Sequence, residues 1–243
     1  MHLSERLRMV ASFVPEGSRL IDVGTDHGYL PIYLAKQRII GEGLAVDVRP
    51  GPLERAVEHI REYGLETRIN TRLSDGLKEI KEEDGDVVVM AGMGGGLVIR
   101  IMEEGRHMWP SVRHWILSPQ SDLHRVRGYL REQGFAVERE DMLLEDGKYY
   151  TVMKAGGWGK RQGYIKNGKK DRGKRMLYDY YGEELLRKKS PVLFRYLEKE
   201  HKEKEAILKK LRKSGASGER AAGRVEELIK ELELIKEAQN EMQ

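Results

Sequence analysis

Apolar positions fall into two alternating rhythms along most of the chain. Leu3, Leu7, Val10, Ala11 and Val14 recur at helical spacing and predict a short amphipathic helix, which Pro15-Glu16-Gly17 stops. Leu20-Ile21-Asp22-Val23 then reads as a strand, with a helix carrying Leu30, Ile32, Tyr33 and Leu34 running to about Arg38. The rhythm repeats in Gly43–Asp47 (strand), Leu53, Ala56, Val57 and Ile60 (helix), and Arg68–Leu73 (strand). Asp86–Met90 is continuous and β-branched, as a strand buried on both faces should be, and Leu97-Val98-Ile99 opens another helix. Val112–Leu117 is the next strand, and Ser121 or Asp122 is placed to cap the helix bearing Val126, Tyr129 and Leu130. Phe135–Leu144 and Tyr149–Lys154 alternate on either side of Asp146-Gly147, a hairpin signal. The expected front architecture is therefore an open α/β sheet that ends in an antiparallel hairpin.

The rear of the chain follows a different pattern. Met176-Leu177, Tyr180-Tyr181 and Leu185-Leu186 predict a helix, and Ser190-Pro191 starts a longer one with Leu193, Leu197, Ile207, Leu208 and Leu211 turned partly inward. Ser214–Gly218 makes a turn, and Val225, Leu228, Ile229, Leu232 and Ile235 form the seam of a returning helix. This predicts an antiparallel, coiled-coil-like pair with too few apolar positions for a separate globular core. The domains expected are 1–156 and 157–243.

The first strand–helix junction, Asp22-Val23-Gly24-Thr25-Asp26-His27-Gly28-Tyr29, concentrates candidate chemistry. Gly24 and Gly28 allow the backbone to turn sharply and come close to a ligand. Asp22 at the strand end can receive a cationic group, and Asp26 occupies a place where a dinucleotide fingerprint carries glycine. Two carboxylates repel a pyrophosphate and favour a cation. S-adenosyl-L-methionine, with its ammonium and sulfonium, suits that arrangement, and a nicotinamide dinucleotide does not. Asp47, followed by Val48, lies about 20 residues beyond the first turn, the spacing at which an acid meets ribose hydroxyls. Capping of the next helix competes for the same residue, and Pro50-Gly51-Pro52 marks that helix's start. Asp75-Gly76 fits either an adenine-amine acceptor with space for the ring or a local Asx turn.

Ala91-Gly92-Met93-Gly94-Gly95-Gly96 ends the central strand and provides a bare backbone floor for a flat group. It lacks the polar–Pro–Pro–aromatic stretch of enzymes that methylate exocyclic amines, which favours a ring nitrogen as acceptor. In Ser118-Pro119-Gln120, Gln120 is placed to pair with a base edge or to tie down its loop. With a hairpin closing the sheet, the layout is that of a class I methyltransferase.

Composition narrows the class further. The 243 residues contain no cysteine, which excludes disulfides, a thiol nucleophile and zinc–thiolate chemistry, and no metal site is expected. Neither a hydrophobic leader nor an apolar run long enough for a bilayer is present, so a cytoplasmic protein without membrane association is expected. Charge is divided: residues 158–243 hold 23 Lys+Arg and 15 Asp+Glu, net +8, and residues 1–157 hold 21 and 25, net −4. A basic rear suggests a polyanionic partner, although a solvated charged helix pair has the same signature. Lys160, Arg161, Lys169, Lys170 and Arg172, with Trp158 and Tyr164 among them, are candidate phosphate and base contacts, or a plain linker. Arg6 and Arg8 read as solvated positions on the first helix.

Leu3-Ser4-Glu5-Arg6-Leu7, Asp22–Pro31, Ala91–Gly95 and Ser118-Pro119-Gln120 together resemble the bacterial TrmK tRNA adenine-N1 methyltransferases over roughly residues 1–155. The resemblance implies methylation of the adenine at tRNA position 22, in the D-arm, with S-adenosyl-L-methionine as donor. The rear half matches in architecture rather than residue by residue. Asp22, Gly24, Thr25, Asp26, His27, Gly28, Asp47, Val48, Asp75, Gly76, Ala91, Gly92, Met93 and Gly94 are then the candidate donor contacts. Asp26, Tyr29 and His27 are the candidates for the transfer step, Asp26 steadying charge, Tyr29 meeting the target base and His27 shuttling a proton. Gln120 and the five basic residues join Tyr29 toward tRNA, with the protein a monomer or weak homodimer. Competing functions are methylation of another RNA or of a small molecule, and non-catalytic RNA binding with a relic donor pocket.

Overall fold

The computed structural model describes residues 2–159, 172–213 and 219–243. The chain divides into two compact units, residues 1–167 and 168–243. Lys160, Arg161, Lys169 and Lys170 lie outside the described residues, as does the expected turn at 214–218, and Arg172 is described only as the first residue of a helix.

In the first unit, α1 (Glu5–Ala11), β1 (Ser18–Val23), α2 (Tyr29–Lys36), β2 (Ile40–Asp47), α3 (Pro50–Glu62), β3 (Ile69–Leu73), β4 (Val87–Ala91), α4 (Gly95–Glu104), β5 (His114–Ser118), α5 (Leu123–Glu132), β6 (Ala136–Glu145) and β7 (Lys148–Gly156) follow in order. The strands form one seven-stranded sheet in the order β3-β2-β1-β4-β5-β7-β6. The first five are parallel, whereas β7 runs antiparallel between β5 and β6. Asp146 and Gly147 both have positive φ (49° and 74°), the primed turn whose twist matches a hairpin. This is the class I methyltransferase fold.

Side-chain alternation along the strands makes two cores. Ile21, Val23, Val88, Met90, Trp115 and Leu117 face α4 and α5, while Leu20, Val87, Val89 and Ile116 face α1, α2 and α3. Burying both faces requires the near-continuous apolar strands the sequence carries. Because the strand order reverses between β1 and β4, their carboxyl ends splay apart and leave a crevice there.

Several boundaries differ from expectation. The first helix starts at Glu5, where Ser4 Oγ accepts from Leu7 N, so Leu3 precedes it. A single turn of 3₁₀ helix (Asp26–Gly28) stands before α2. Asp122 does sit at the start of α5, but its backbone is left-handed (φ 55°) and neither it nor Ser121 caps the helix; Ser121 Oγ donates to Asp122 instead.

In the second unit, α6 (Arg172–Tyr181) and α7 (Glu183–Arg187) replace the single helix expected, because Gly182 (φ 83°) breaks it. Then come α8 (Pro191–Lys213) and α9 (Glu219–Glu241). Lys189 Nζ donates to Gln243 O and Lys204 Nζ to Glu231, which makes the pair antiparallel. Leu208, Leu228 and Leu232 pack between the two long helices. Leu177, Leu185, Leu186, Leu193, Leu197 and Ile235 are also buried, so this unit buries more apolar surface than the seam alone predicts. No described helix is long and apolar enough to cross a membrane.

Candidate active site

The crevice at the strand-order reversal holds a cleft of about 480 Å³, a size suited to a nucleoside-like ligand. Its wall comes from the carboxyl ends of the strands. β1 delivers Asp22, β2 Asp47, β4 Ala91, and the loops beyond them Gly24, Thr25, Asp26, Val48, Gly92 and Met93. Register explains the gathering: Asp22 pairs with Ala45 on one side and Val89 on the other, so strands of similar length end at one edge.

Asp22 is 4% exposed, and its Oδ2 accepts from Thr25 Oγ1 at 2.7 Å. Burial pushes its carboxyl up to about 6, the Thr25 hydrogen bond opposes that, and the neighbouring Asp47 adds to it. A buried carboxylate whose ionisation burial opposes is a receptor for a cation, since a positive ligand compensates the lost hydration. Asp47 is also buried, and its Oδ1 accepts from Arg49 N at 2.9 Å, a local bond just before α3. Asp47 therefore orders the turn and lines the cleft, but it does not cap α3, whose N-cap position is Arg49.

The turn after β1 is held by Gly24 N and Thr25 N donating to Val46 O. Gly24, Asp26, His27 and Gly28 all have positive φ, at 76°, 27°, 62° and 71°. Two non-glycine residues in this region mark backbone strain, which clusters at functional loops. The strain sets Asp26 at the cleft's lip, 70% exposed at its side chain, and puts Tyr29, 38% exposed, at the first position of α2. His27 does not reach the cleft wall: its Nε2 faces Asp26 Oδ1 at 3.3 Å and its Nδ1 is buried without a partner. That position gives no support to a proton-shuttle role.

Two expected donor contacts also have other work. Gly28 is buried against α3, where a Cβ would meet that of Ala56 at 3.2 Å. Gly94 lies off the cleft wall beside Ser121, and a Cβ on Gly95 would come within 2.5 Å of Ser121 O. Of the glycine run, only Gly92 (φ 87°) forms the expected floor, with Ala91 and Met93 flanking it. Gly76 lines the cleft, but its φ of 64° and the 2.9 Å at which a Cβ would meet Ile101 Cγ1 demand glycine before any ring enters. Asp75 forms no Asx turn; its oxygens take Lys78 Nζ (2.6 Å) and Arg100 Nη2 (3.2 Å), and the Lys78 hydrogen bond chiefly holds its carboxyl below the usual range. Gln120 ties down its loop, its backbone N donating to Met93 O at 2.9 Å, and it also lines the cleft.

Sequence reasoning missed Arg6. Far from being solvated, it lines the cleft, its guanidinium lies 5.4 Å from the Tyr150 ring centre, and Nη1 is buried without a hydrogen-bond partner. Nη1 would stand 3.3 Å from a Cβ on Gly92, and Glu145 accepts from the backbone N of both Glu5 and Arg6. Only contacts across some 140 residues reveal this, so helical periodicity around Arg6 carries no trace of it. Leu7, Ser74, Leu97, Arg100 and Ile101 complete the wall. An orphaned cation in a cleft of acids fits a zwitterionic ligand: acids for its ammonium, Arg6 for its carboxylate.

Trp158 differs as well. β7 ends at Gly156 opposite His114, the first residue of β5, so Trp158 follows at the sheet's amino edge, away from the cleft. There it packs edge-on to Trp109, 5.6 Å between ring centres. Among the described residues no cluster of three His, Cys, Asp or Glu could hold a metal ion.

Known proteins are similar to this chain in sequence and fold. A methyltransferase-domain family model matches residues 3–153. The tRNA (adenine(22)-N(1))-methyltransferase of Bacillus subtilis is 35% identical over 155 residues, which cover 64% of this chain and 65% of that protein. The chain thus matches less than two thirds of that relative's length in sequence. Structural likeness extends further: Streptococcus pneumoniae Sp1610, solved in complex with S-adenosyl-L-methionine, is 32% identical with a TM-score of 0.82, covering 98% of this chain and 99% of that one. The B. subtilis M1A22 tRNA methyltransferase TrmK gives 29% identity and a TM-score of 0.82, with 98% of each chain covered. With its cleft at the strand-order reversal and its antiparallel β7, the chain belongs to the methyltransferase-domain family, in the branch these TrmK proteins represent.

Proposed function

We propose that this protein transfers the methyl group of S-adenosyl-L-methionine to N1 of the adenine at position 22 in the D-arm of tRNA. The observation that carries this reading is the buried Asp22, its carboxyl pushed up by burial, facing the same cleft as the unpartnered Nη1 of Arg6. The relatives' names supply the acceptor.

Bound in the cleft, the donor supplies an electrophilic methyl group on a positively charged sulfur. Asp22 receives the ammonium, Arg6 the carboxylate and Asp47 the ribose hydroxyls, since a carboxylate can accept from both members of a diol. Val48, Leu97 and Ile101 would provide apolar sides for the adenine, and Asp75 and Gly76 belong to the same lining.

Adenine N1 has a free lone pair at neutral pH, so the transfer needs no strong base. As the N–CH3 bond forms the S–CH3 bond breaks, the donor leaves as a neutral thioether, and positive charge passes to the adenine ring. Alignment and exclusion of water are then the enzyme's main work. Asp26 at the lip steadies the developing ring charge, and the exposed Tyr29 ring offers a face for the base. The basic rear of the chain, including Lys160, Arg161, Lys169, Lys170 and Arg172, neutralises tRNA phosphates.

The test is to incubate unmodified tRNA with isotopically labelled donor, digest it and analyse the fragments by mass. Labelled 1-methyladenosine at position 22 is expected; label elsewhere, or none, overturns the proposal. Tyr29→Ala is expected to leave donor affinity within about threefold and to lower turnover about 100-fold, because it removes an interaction made with the acceptor. Equal losses of both would take Tyr29 out of that role.

A further inference from the structure

Tyr29 does not stand alone at the cleft mouth. Its ring lies 5.4 Å from that of His27 at an interplanar angle of 8°, and 5.1 Å from that of His59 at 19°. His27 and His59 are themselves 5.8 Å apart at 27°. Three near-parallel rings with mutual spacings this similar form an offset cluster, each flanked by the other two. His59 comes from α3, 32 residues beyond His27, and it does not line the cleft.

A second contact ties His59 to the strained turn. Its Nδ1 is 2.9 Å from the carbonyl oxygen of His27. A carbonyl only accepts, so the imidazole carries a proton on Nδ1 and donates it. The chain cannot make the ordinary helical bond to this oxygen, because the residue four positions on is Pro31, which has no N–H. Backbone oxygens turned from water need a donor, and His59 provides one for this part-buried oxygen, at a residue held at φ 62°. One side chain thus contacts both the turn's backbone and the Tyr29 ring.

We propose that His59 is a positioning residue for methyl transfer: it fixes the plane of Tyr29 so that the phenol presents a constant face to the target base. The inference rests on the acceptor role assigned to Tyr29 above. His59 touches neither donor nor acceptor, and its effect on rate passes through Tyr29.

A double-mutant cycle tests this, read as single-turnover methylation of unmodified tRNA at saturating donor. His59→Ala is expected to slow transfer about tenfold with Tyr29 present and less than about twofold in a Tyr29→Leu background, the non-additivity of residues acting as a unit. Donor affinity is expected to stay within about twofold in all variants. Equal slowing in both backgrounds, or none in either, overturns the proposal. Should His59→Ala not fold, His59→Gln serves in the same cycle, since its amide keeps a donor for the His27 carbonyl while removing the ring. If the unsubstituted protein methylates no tRNA, the function proposed above fails by itself. The positioning claim is then read from the ring-current shifts of labelled Tyr29 protons, which should change on His59 substitution; unchanged shifts overturn it.

Discussion

The turn after β1 and the turn after β4 both face the cleft, and both are rich in glycine, yet they use it for opposite ends. After β1, glycine lets a strained path exist. Asp26 and His27 share the left-handed region with Gly24 and Gly28, and the reward is a set of aimed side chains: Asp22 below, Asp26 at the lip, Tyr29 at the helix start. After β4, glycine lets elements touch. Gly95 abuts Ser121, Gly92 makes a floor beneath Arg6, and Gly96 has open space around it. One turn therefore holds its chemistry in side chains, and the other in their absence.

The strongest way to sharpen that contrast is Asp22→Asn. Raising the carboxyl from 3.8 to about 6 means that ionising Asp22 opposes folding, by about 3 kcal/mol at full ionisation. The folded value lies above the unfolded one, so this group's stabilising share is complete below about pH 4 and lost as pH rises through about 6. Asp22→Asn should therefore raise the stability of the ligand-free protein at pH 7.5 by up to about 3 kcal/mol, and not at pH 4, in denaturant melts. The same change should weaken donor binding about 100-fold by calorimetry, the effect of losing a charged partner. A loss of both stability and binding would mean that Asp22 supports the fold rather than the ligand.

Gly95→Ala should act only on the fold, costing about 1–3 kcal/mol, because its Cβ meets a backbone oxygen that cannot move aside. Thermal melts with and without donor would separate this from a binding defect. Arg6→Met should weaken donor binding about tenfold while leaving the melting temperature nearly unchanged, since it removes one charge-assisted partner. Gly96→Ala, with nothing within 4 Å, should stabilise α4 by about 0.5–1 kcal/mol. If Gly95 and Gly96 behaved alike, close packing would not be the reason for the run.

What the sequence discloses follows the range of the forces involved. Val87–Ala91 is legible because burial on both faces demands a continuous apolar run, and Asp146-Gly147 because a primed turn needs residues that tolerate positive φ. Asp22 and Asp47 are legible through spacing along one sheet edge. Arg6, by contrast, looks like any arginine on an amphipathic helix, and its surroundings come from β7 and the β4 turn. His59 is hidden for the same reason, as the carbonyl it serves belongs to a turn in a different element. Gly94 and Gly95 mislead because a glycine for close packing and a glycine for a ligand are spelled alike.

Glu145 joins the two ends of the first unit, accepting from the backbone of Glu5 and Arg6. The cleft's amino-terminal wall is thus secured by a residue made late in that unit's synthesis. While the ribosome is still adding β6, a nascent chain has its acids and glycines in place, and its opening helix has an apolar core to pack on but not yet the Glu145 carboxylate. Closing a loop this long comes late and slowly in folding. The wall that carries Arg6 is thus among the last parts of the unit to be fastened.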